Sequence, residues 1–544
     1  MSARDRHDLR RLALGTLLSS FPGADVPPWL QRAAATGLGG VCLYGSNRGV
    51  DVGAVAAELH ALRPELVVAL DEEGGDVTRL EAATGSSVPG NAALGAIDDE
   101  RLTHEVGLAL GGLLAATGVD LDLAPCADVN SDPDNPVIGV RSFGADPDLV
   151  AVHTAAFVAG LQEAGVAACA KHFPGHGAVA VDSHLALPTV DAPGEVVRWR
   201  ELVPFRAAVD VGVQAVMPGH LLVPALDDAP ATVSRRIVTD LLRGDLGFDG
   251  LVVTDALDMG GAGGPSAIPL TVPRALAAGA DLCCLGPDND EDLVEACVAA
   301  VTAAVGSGAL PVERLAGAAA AVAALRSRPG RRPDGARDRA RASDAAPSAA
   351  AREPERWQGA GSDGAHDGST ARRAIALAAL AGVGGAAAER ALRVDGAVPS
   401  PLVGAHVVEL ERPANIAAGA VPWGVGAPLR ALDPTASSAR VADGDDRALA
   451  SALVAAAGRP VVVVVRDAHR RPAQAAALAT LTGARPDAVV VDMGWPAAPA
   501  GPATTAARIT TYGASRASGE AVARLLAGAP TAHPLAPAGR TSRG

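Results

Sequence analysis

The sequence predicts an α/β protein, in which an N-terminal (β/α)8 barrel of the TIM type is followed by a C-terminal α/β domain with a mostly parallel sheet. Three observations carry this reading. Short, uninterrupted apolar runs recur through the first part of the chain, each followed by a polar loop and an alanine-rich helical pattern, the alternation that builds a parallel sheet. Eight such units in roughly 300 residues suit a closed barrel better than a doubly wound sheet. Nearly every run also ends on an Asp, His or Lys, and a barrel gathers those strand ends into one mouth.

The runs are 40–44 (GVCLY), 66–70 before Asp71, 121–124 before Asp128, 166–170 before Lys171 and His172, 214–217 before His220, 251–254 before Asp255, and 281–285, with 12–18 as the eighth. The stretch from Lys171 to His184, KHFPGHGAVAVDSH, holds three histidines, a lysine and an aspartate. Pro174-Gly175 excludes a regular helix there, so the stretch reads as a loop at the end of a buried strand. Asp182 and His184, two residues apart, can face each other in an extended segment or tight turn.

The barrel domain spans 1–327. From 328 to 373 apolar periodicity is lost and Arg, Asp, Ala, Gly and Pro dominate, the composition of a flexible linker. The second domain, 374–532, rests on a βαβ unit made of 461–465, a helix over 471–483 and 489–492, followed by a strand at 509–512 and a helix at 518–526. Residues 533–544 read as a loose tail. The glycines around Gly382-Val383-Gly384-Gly385 follow no clear strand and lack the spacing of a dinucleotide fingerprint.

A formal net charge of -15 argues against a protein that grips nucleic acid through basic patches, and an aromatic content of 2% leaves few stacking platforms. The apolar segment near the start is too short for a signal peptide, and no run of about 18 apolar residues occurs, so a soluble, cytoplasmic protein without membrane partners is expected. Cysteines 42, 126, 169, 283, 284 and 297 sit mostly in strand-like runs without CxxC spacing, as buried thiols of a reducing compartment do. No metal or organic cofactor is implied, and the oligomeric state is left open.

Four further stretches accompany 171–184: 71–79 (DEEGGDVTR), 135–143 (NPVIGVRSF), 217–220 (MPGH) and 253–259 (VTDALDM). Carboxylates, Lys, Arg and His together suit the two-pronged hydrogen bonding of a neutral polyhydroxylated ligand, whereas a phosphate calls for a glycine nest or an excess of cations. A strand-end aspartate kept ionised by neighbouring donors can be a nucleophile. A histidine paired with a carboxylate can give a proton and then take one.

With KHFPGH followed by DSH, DEEGGDVTR upstream and GFDGLVVTDALDM downstream, the chain resembles glycoside hydrolase family 3, in its bacterial β-N-acetylglucosaminidase branch, from about 10 to 325. A weaker resemblance to the family's second domain covers about 374 to 528. The resemblance implies Asp255 as nucleophile and His184 as general acid and base oriented by Asp182. Asp71, Arg79, Arg141, Lys171 and His172 would bind the terminal N-acetylglucosamine, as would His220, in a motif near the mouth. The implied activity is release of terminal non-reducing N-acetylglucosamine with retention, on cell-wall-derived fragments. Glu72 and Asp76 depart from the family pattern, and the negative charge they add near the mouth is expected to disfavour acidic aglycones. Ala178, where many members have aspartate, also occurs within the branch. Asp258 reads as a supporting residue and His176 as one that shapes the loop.

Three rivals remain at this level. One is a phosphorylase using the same site. Another is a metal-dependent barrel hydrolase with His172, His176, Asp182 and His184 as ligands, although Pro-Gly inside HxxxH forbids the helical spacing. The last is a non-enzymatic sugar-binding protein.

Overall fold

The computed structural model describes residues 3–47, 49–327, 365–411, 417–496, 505–530 and 536–537. Eight parallel strands form the first sheet: β1 Leu17–Ser19, β2 Gly40–Leu43, β3 Val67–Leu70, β4 Leu121–Asp122, β5 Ala167–Phe173, β6 Ala215–Pro218, β7 Leu251–Val252 and β8 Cys283–Cys284. Their order is β7-β6-β5-β4-β3-β2-β1-β8. The ring closes where Val253 pairs with Leu282, with Leu282 N–H donating to Val252 O and Thr254 N–H to Leu282 O.

Both faces of these strands are dry, which is why the runs are apolar throughout rather than alternating. Leu18, Cys42, Val67, Ala69, Leu121, Cys169, Ala215, Met217 and Leu251 point inward and pack on one another. Val322 and Leu325 join them from the last helical turns of the domain. The alternate residues, Leu17, Val41, Val68, Leu70, Ala168, Val216 and Val252, face the surrounding helices. Several of those helices start at an aspartate whose side chain accepts the first free N–H groups, as Asp51, Asp99, Asp146 and Asp290 do. All six cysteines are buried and unpaired.

Two expectations change. The apolar run 12–18 is split, because Leu12 to Leu14 end a helix that starts at Ala3 and only Leu17–Ser19 are strand. An apolar run alone does not separate a helix face from a strand. β5 continues through Lys171, His172 and Phe173, so the loop begins at Pro174.

The second sheet has the order β11-β10-β12-β13-β14-β9-β15. Its strands are β9 Arg393–Gly396, β10 His406–Leu410, β11 Ser437–Val441, β12 Val461–Val465, β13 Val489–Asp492, β14 Ala507–Thr510 and β15 Ala536–Pro537. β11, β10, β12, β13 and β14 are parallel, and β9 runs antiparallel to β14. Of the stretch read as linker, 328–364 lies outside the described residues, and 365–373 opens the helix Ala365–Ala391. Most of the expected tail also lies outside them, while Ala536–Pro537 pair with β9.

Helix Ala365–Ala391 carries the glycines at 382, 384 and 385 and joins the two halves, packing on Glu100–Ala116 of the barrel and on helix Arg516–Leu526. Its part from Thr370 to Ala391 is long and apolar enough by composition to cross a membrane, yet Leu380, Ala387, Ala388 and Ala391 are buried against the protein. At Gly384 the helix backbone meets the barrel so closely that a Cβ would lie 2.0 Å from Ser87 O, whereas one on Gly385 would meet nothing within 4 Å.

Helix propensity alone favours alanine over glycine at both positions by about 1 kcal/mol. Gly385→Ala is therefore expected to raise stability by up to that amount. Gly384→Ala is expected to lower it by about 1–3 kcal/mol through overpacking. Denaturant midpoints of the two variants check the opposite signs.

Candidate active site

The mouth of the barrel is assembled from strand ends that lie far apart in sequence. Beyond β3, Asp71 and Glu73 point one way and Glu72 the other, as alternate residues of extended chain do. Lys171 Nζ, from β5, lies 2.7 Å from both Asp71 Oδ1 and Glu73 Oε1. Arg141, from the loop after β4, grips Glu73 with two prongs, Nε to Oε2 at 2.9 Å and Nη2 to Oε1 at 2.7 Å. Lys171 and Glu73 are each 2% exposed. Burial pushes the Glu73 carboxyl up, but the charges of Arg141 and Lys171 and their hydrogen bonds outweigh it and hold the group far below the usual carboxylate range. Burial likewise works against the Lys171 ammonium, and Asp71 and Glu73 more than reverse it.

Lys171 and His172 both serve the mouth because β5 shifts register against β6 between Lys171 and Phe173, an irregularity that re-aims side chains. The His172 backbone N–H donates to Asp128 Oδ1 (3.1 Å), and its Nδ1–H donates to Asp128 Oδ2 (2.8 Å). The ring is thereby fixed with Nδ1 committed. Asp128, fully buried, also accepts the His176 N–H at 2.7 Å and the Cys126 thiol at 3.0 Å.

The loop from Pro174 carries His176, Asp182 and His184. Asp182 Oδ1 accepts both the backbone N–H and the Nδ1–H of His184, at 2.9 and 2.7 Å. That leaves Nε2 as the nitrogen for chemistry. Burial tends to raise Asp182, but its bonds to His184 prevail and lower it. His176 joins its Nε2 to Ser183 Oγ at 2.9 Å. Burial, reinforced by the nearby His172, pushes His176 down to about 4. The stretch is also tied to the segment after β7: Gly260 N–H donates to His184 O (3.1 Å) and Gly261 N–H to Ser183 O (2.9 Å).

Asp255 lies three residues beyond β7 and accepts the Ala256 N–H at 2.8 Å. Burial opposes its ionisation, yet the positive potential of His172, His220 and His184 and the Ala256 N–H hold the carboxyl down at about 2. An ionised, lightly hydrogen-bonded carboxylate is a competent nucleophile.

Asp71, Arg79, Arg141, Lys171, His172, His184 and Asp255 all line one hollow of about 160 Å³. Asp182 stands behind His184. Arg79 reaches across to the second domain, donating from Nη2 to Ala417 O at 2.7 Å, and Ala417 itself lines the hollow. His220 departs from expectation: 1% exposed, it is bonded through Nε2 to Ala256 O (2.9 Å) and through Nδ1 to Thr232 Oγ1 (2.8 Å), so it braces the Asp255 segment instead of touching a ligand.

Glu72 and Asp76 also need correction. Glu72 is 1% exposed and turned into the protein, where it accepts the N–H groups of Arg79 and Leu80 at 2.7 and 2.8 Å. Burial pushes it up to about 7. Asp76 is paired with Arg466 of the second domain. Neither adds free negative charge to the mouth.

The metal set His172, His176, Asp182 and His184 does not gather. Among the described residues the cluster with metal-like spacing is Cys126, Asp128 and His172, and the hydrogen bonds of Cys126 and His172 to Asp128 account for it. Glu73 and Asp128 hold the site's cations and His172 in place, a role that sequence reasoning gave to neither, although it named Asp128 after the run 121–124. The one signal for Glu73 was its position two residues after Asp71, which puts the pair on one face.

Residues 37–325 match the model of the glycosyl hydrolase family 3 N-terminal domain. A β-hexosaminidase of Chromobacterium violaceum is 40% identical over 271 residues, 48% of this chain and 75% of its own. A solved glycoside hydrolase family 3 β-N-acetylglucosaminidase from Paenibacillus sp. str. FPU-7 is similar over 96% of both chains, with 30% identity and a TM-score of 0.79. A β-N-acetylhexosaminidase from Beutenbergia cavernae is similar over 59% of this chain and 98% of its own, with 33% identity and a TM-score of 0.52.

His176 supplies a pH prediction. Folded, it takes its proton near pH 4, whereas the unfolded chain takes one near 6.5, so the unfolded state binds more protons between those values. Stability is expected to fall as pH drops through that window, by up to about 3 kcal/mol from this group. His176→Gln should flatten the slope between pH 6.5 and 4, as read from urea midpoints across the range.

Proposed function

The chain belongs to glycosyl hydrolase family 3, and from that premise we propose that it is an exo-acting β-N-acetylglucosaminidase that hydrolyses terminal non-reducing N-acetylglucosamine with retention. The observation that carries the reading is that Asp255 and His184 line one hollow together with Asp71, Lys171, His172, Arg141 and Arg79.

The chemistry follows from that placement. An Asp255 oxygen attacks the anomeric carbon as the bond to the leaving oxygen breaks, and His184 Nε2 passes its proton to that oxygen. Asp182 stabilises the imidazolium before transfer and keeps the ring oriented. Water then attacks the anomeric carbon, His184 takes its proton, and the ester to Asp255 breaks. Asp71, Lys171, His172 and the two arginines hold the sugar hydroxyls, and the small hollow leaves room for one ring. The names of the Paenibacillus and Beutenbergia relatives support the N-acetyl preference. The resemblance to the cell-wall-acting branch supports saccharide fragments of the cell wall as the natural substrate class.

The test is hydrolysis of an aryl N-acetylglucosaminide beside the aryl glucoside, with the anomer of the first product followed by NMR. The N-acetylglucosaminide is expected to be cleaved faster, with β product first. Added phosphate is expected to change neither rate nor product; a sugar 1-phosphate would replace this reading with phosphorolysis. Asp255→Ala should abolish turnover. Asp182→Asn should lower kcat by roughly 10²-fold or more, with larger losses on poorer leaving groups, because it weakens proton donation.

A further inference from the structure

We propose that Arg466, from the second domain, is a positioning residue for the sugar-binding segment 71–79 and acts through Asp76. The inference rests on the function proposed above and adds a residue that lies outside the hollow. Asp76 sits between the segment's two ligand-facing groups, five residues after Asp71 and three before Arg79. The turn leading to it is Gly74-Gly75, both at positive φ (76° and 61°), a pair that restrains the backbone little by itself. Within the turn the Val77 N–H donates to Gly74 O at 3.2 Å, and the second domain adds two further restraints, the Arg466 guanidinium on Asp76 Oδ2 and the Ala514 N–H on Asp76 Oδ1 at 2.8 Å.

Arg466 is itself fixed. It follows β12 directly, its backbone N–H donates to Gln474 Oε1 at 3.0 Å, and its guanidinium lies 5.0 Å from the centre of the Trp423 ring. The side chains of Arg466 and Asp76 are 9% and 6% exposed, so both charges lie largely out of water. Loss of the Arg466 charge weakens the hold on the Asp76 carboxylate, which moves toward water and takes the turn with it. Asp71 then shifts against Lys171, and Arg79 shifts against Ala417 O, where it borders the hollow. Sugar binding should suffer more than the chemistry, because Asp255 and His184 sit on other loops.

Arg466→Met keeps the contact with Trp423 and removes the charge. It is expected to raise KM for the aryl N-acetylglucosaminide roughly tenfold or more, with a smaller change in kcat. Deuterium uptake of peptides spanning 71–79 should increase. Asp76→Asn on the Arg466→Met background removes the buried carboxylate charge together with that of Arg466 and should return both KM and uptake most of the way to the parent's. Arg466→Lys cannot cover Trp423 and meet Asp76 at once, so it is expected to raise KM about threefold, and it carries the test if Arg466→Met does not fold. KM within about twofold of the parent for Arg466→Met, or for Arg466→Lys where only that variant folds, overturns the proposal. So does a double variant no better than Arg466→Met. Uptake reads the segment whether or not the parent cleaves the substrate: an inactive parent counts against the proposed function, and unchanged uptake counts against this inference.

Discussion

The arrangement depends on one buried carboxylate, Glu73, shared by two cations that reach it from different parts of the barrel. Lys171 comes from β5 and Arg141 from the loop after β4, and each meets a side chain that is almost out of water. Removing Glu73 leaves the Arg141 guanidinium buried without its carboxylate, which costs far more than a surface pair contributes, and removing either cation leaves Glu73 with one partner instead of two. These contacts therefore report that β3, β4 and β5 are in register. They also fix Lys171 Nζ against Asp71, so the group that holds the barrel mouth together also sets the spacing of the wall proposed to bind the sugar.

The other wall depends on a different restraint. A proton donor on a loop has to hold its distance from the nucleophile through both halves of a double displacement. Here the two are not on independent supports. The N–H groups of Gly260 and Gly261, a few residues beyond Asp255, bond to the carbonyls of His184 and Ser183. A Cβ on Gly260 would lie 2.6 Å from Leu185 O, so the absence of a side chain there lets the two segments touch. Movement of one loop is thus transmitted to the other through backbone bonds.

The sequence revealed the barrel because apolar runs without alternation are uncommon outside buried parallel strands, and seven of the eight runs became strands close to where they stood. It concealed the end of β5 for a physical reason. Lys171 and His172 break the apolar rule, and a strand tolerates them only because Asp71, Glu73 and Asp128 take up their polar atoms, partners that no local pattern reveals. β10 and β11 were missed because HVVEL and SSARV carry polar residues within short runs. The site residues were legible as a set, whereas the pairing among them was not. Glu72 and Asp76 read as free charges at the mouth, yet one is turned inward beneath Arg79 and the other is met by an arginine 390 residues away.

The pairing decides what kind of ligand the hollow suits. Its carboxylates Asp71, Glu73 and Asp255 share the wall with three cations, Arg79, Arg141 and Lys171, and with the imidazoles of His172 and His184, so both signs meet there. Asp258, also on the wall, is pushed upward by burial and by Asp255, which reduces its share of negative charge. A balanced cavity attracts neither anions nor cations over long range, and it offers donors and acceptors in similar number at short range. A neutral ring bearing hydroxyls meets both needs. The net charge of -15 gives no sign of this mixture, which the motif stretches do show, and the pairing within it is set inside the barrel mouth, where burial makes the carboxylates depend on neighbouring cations.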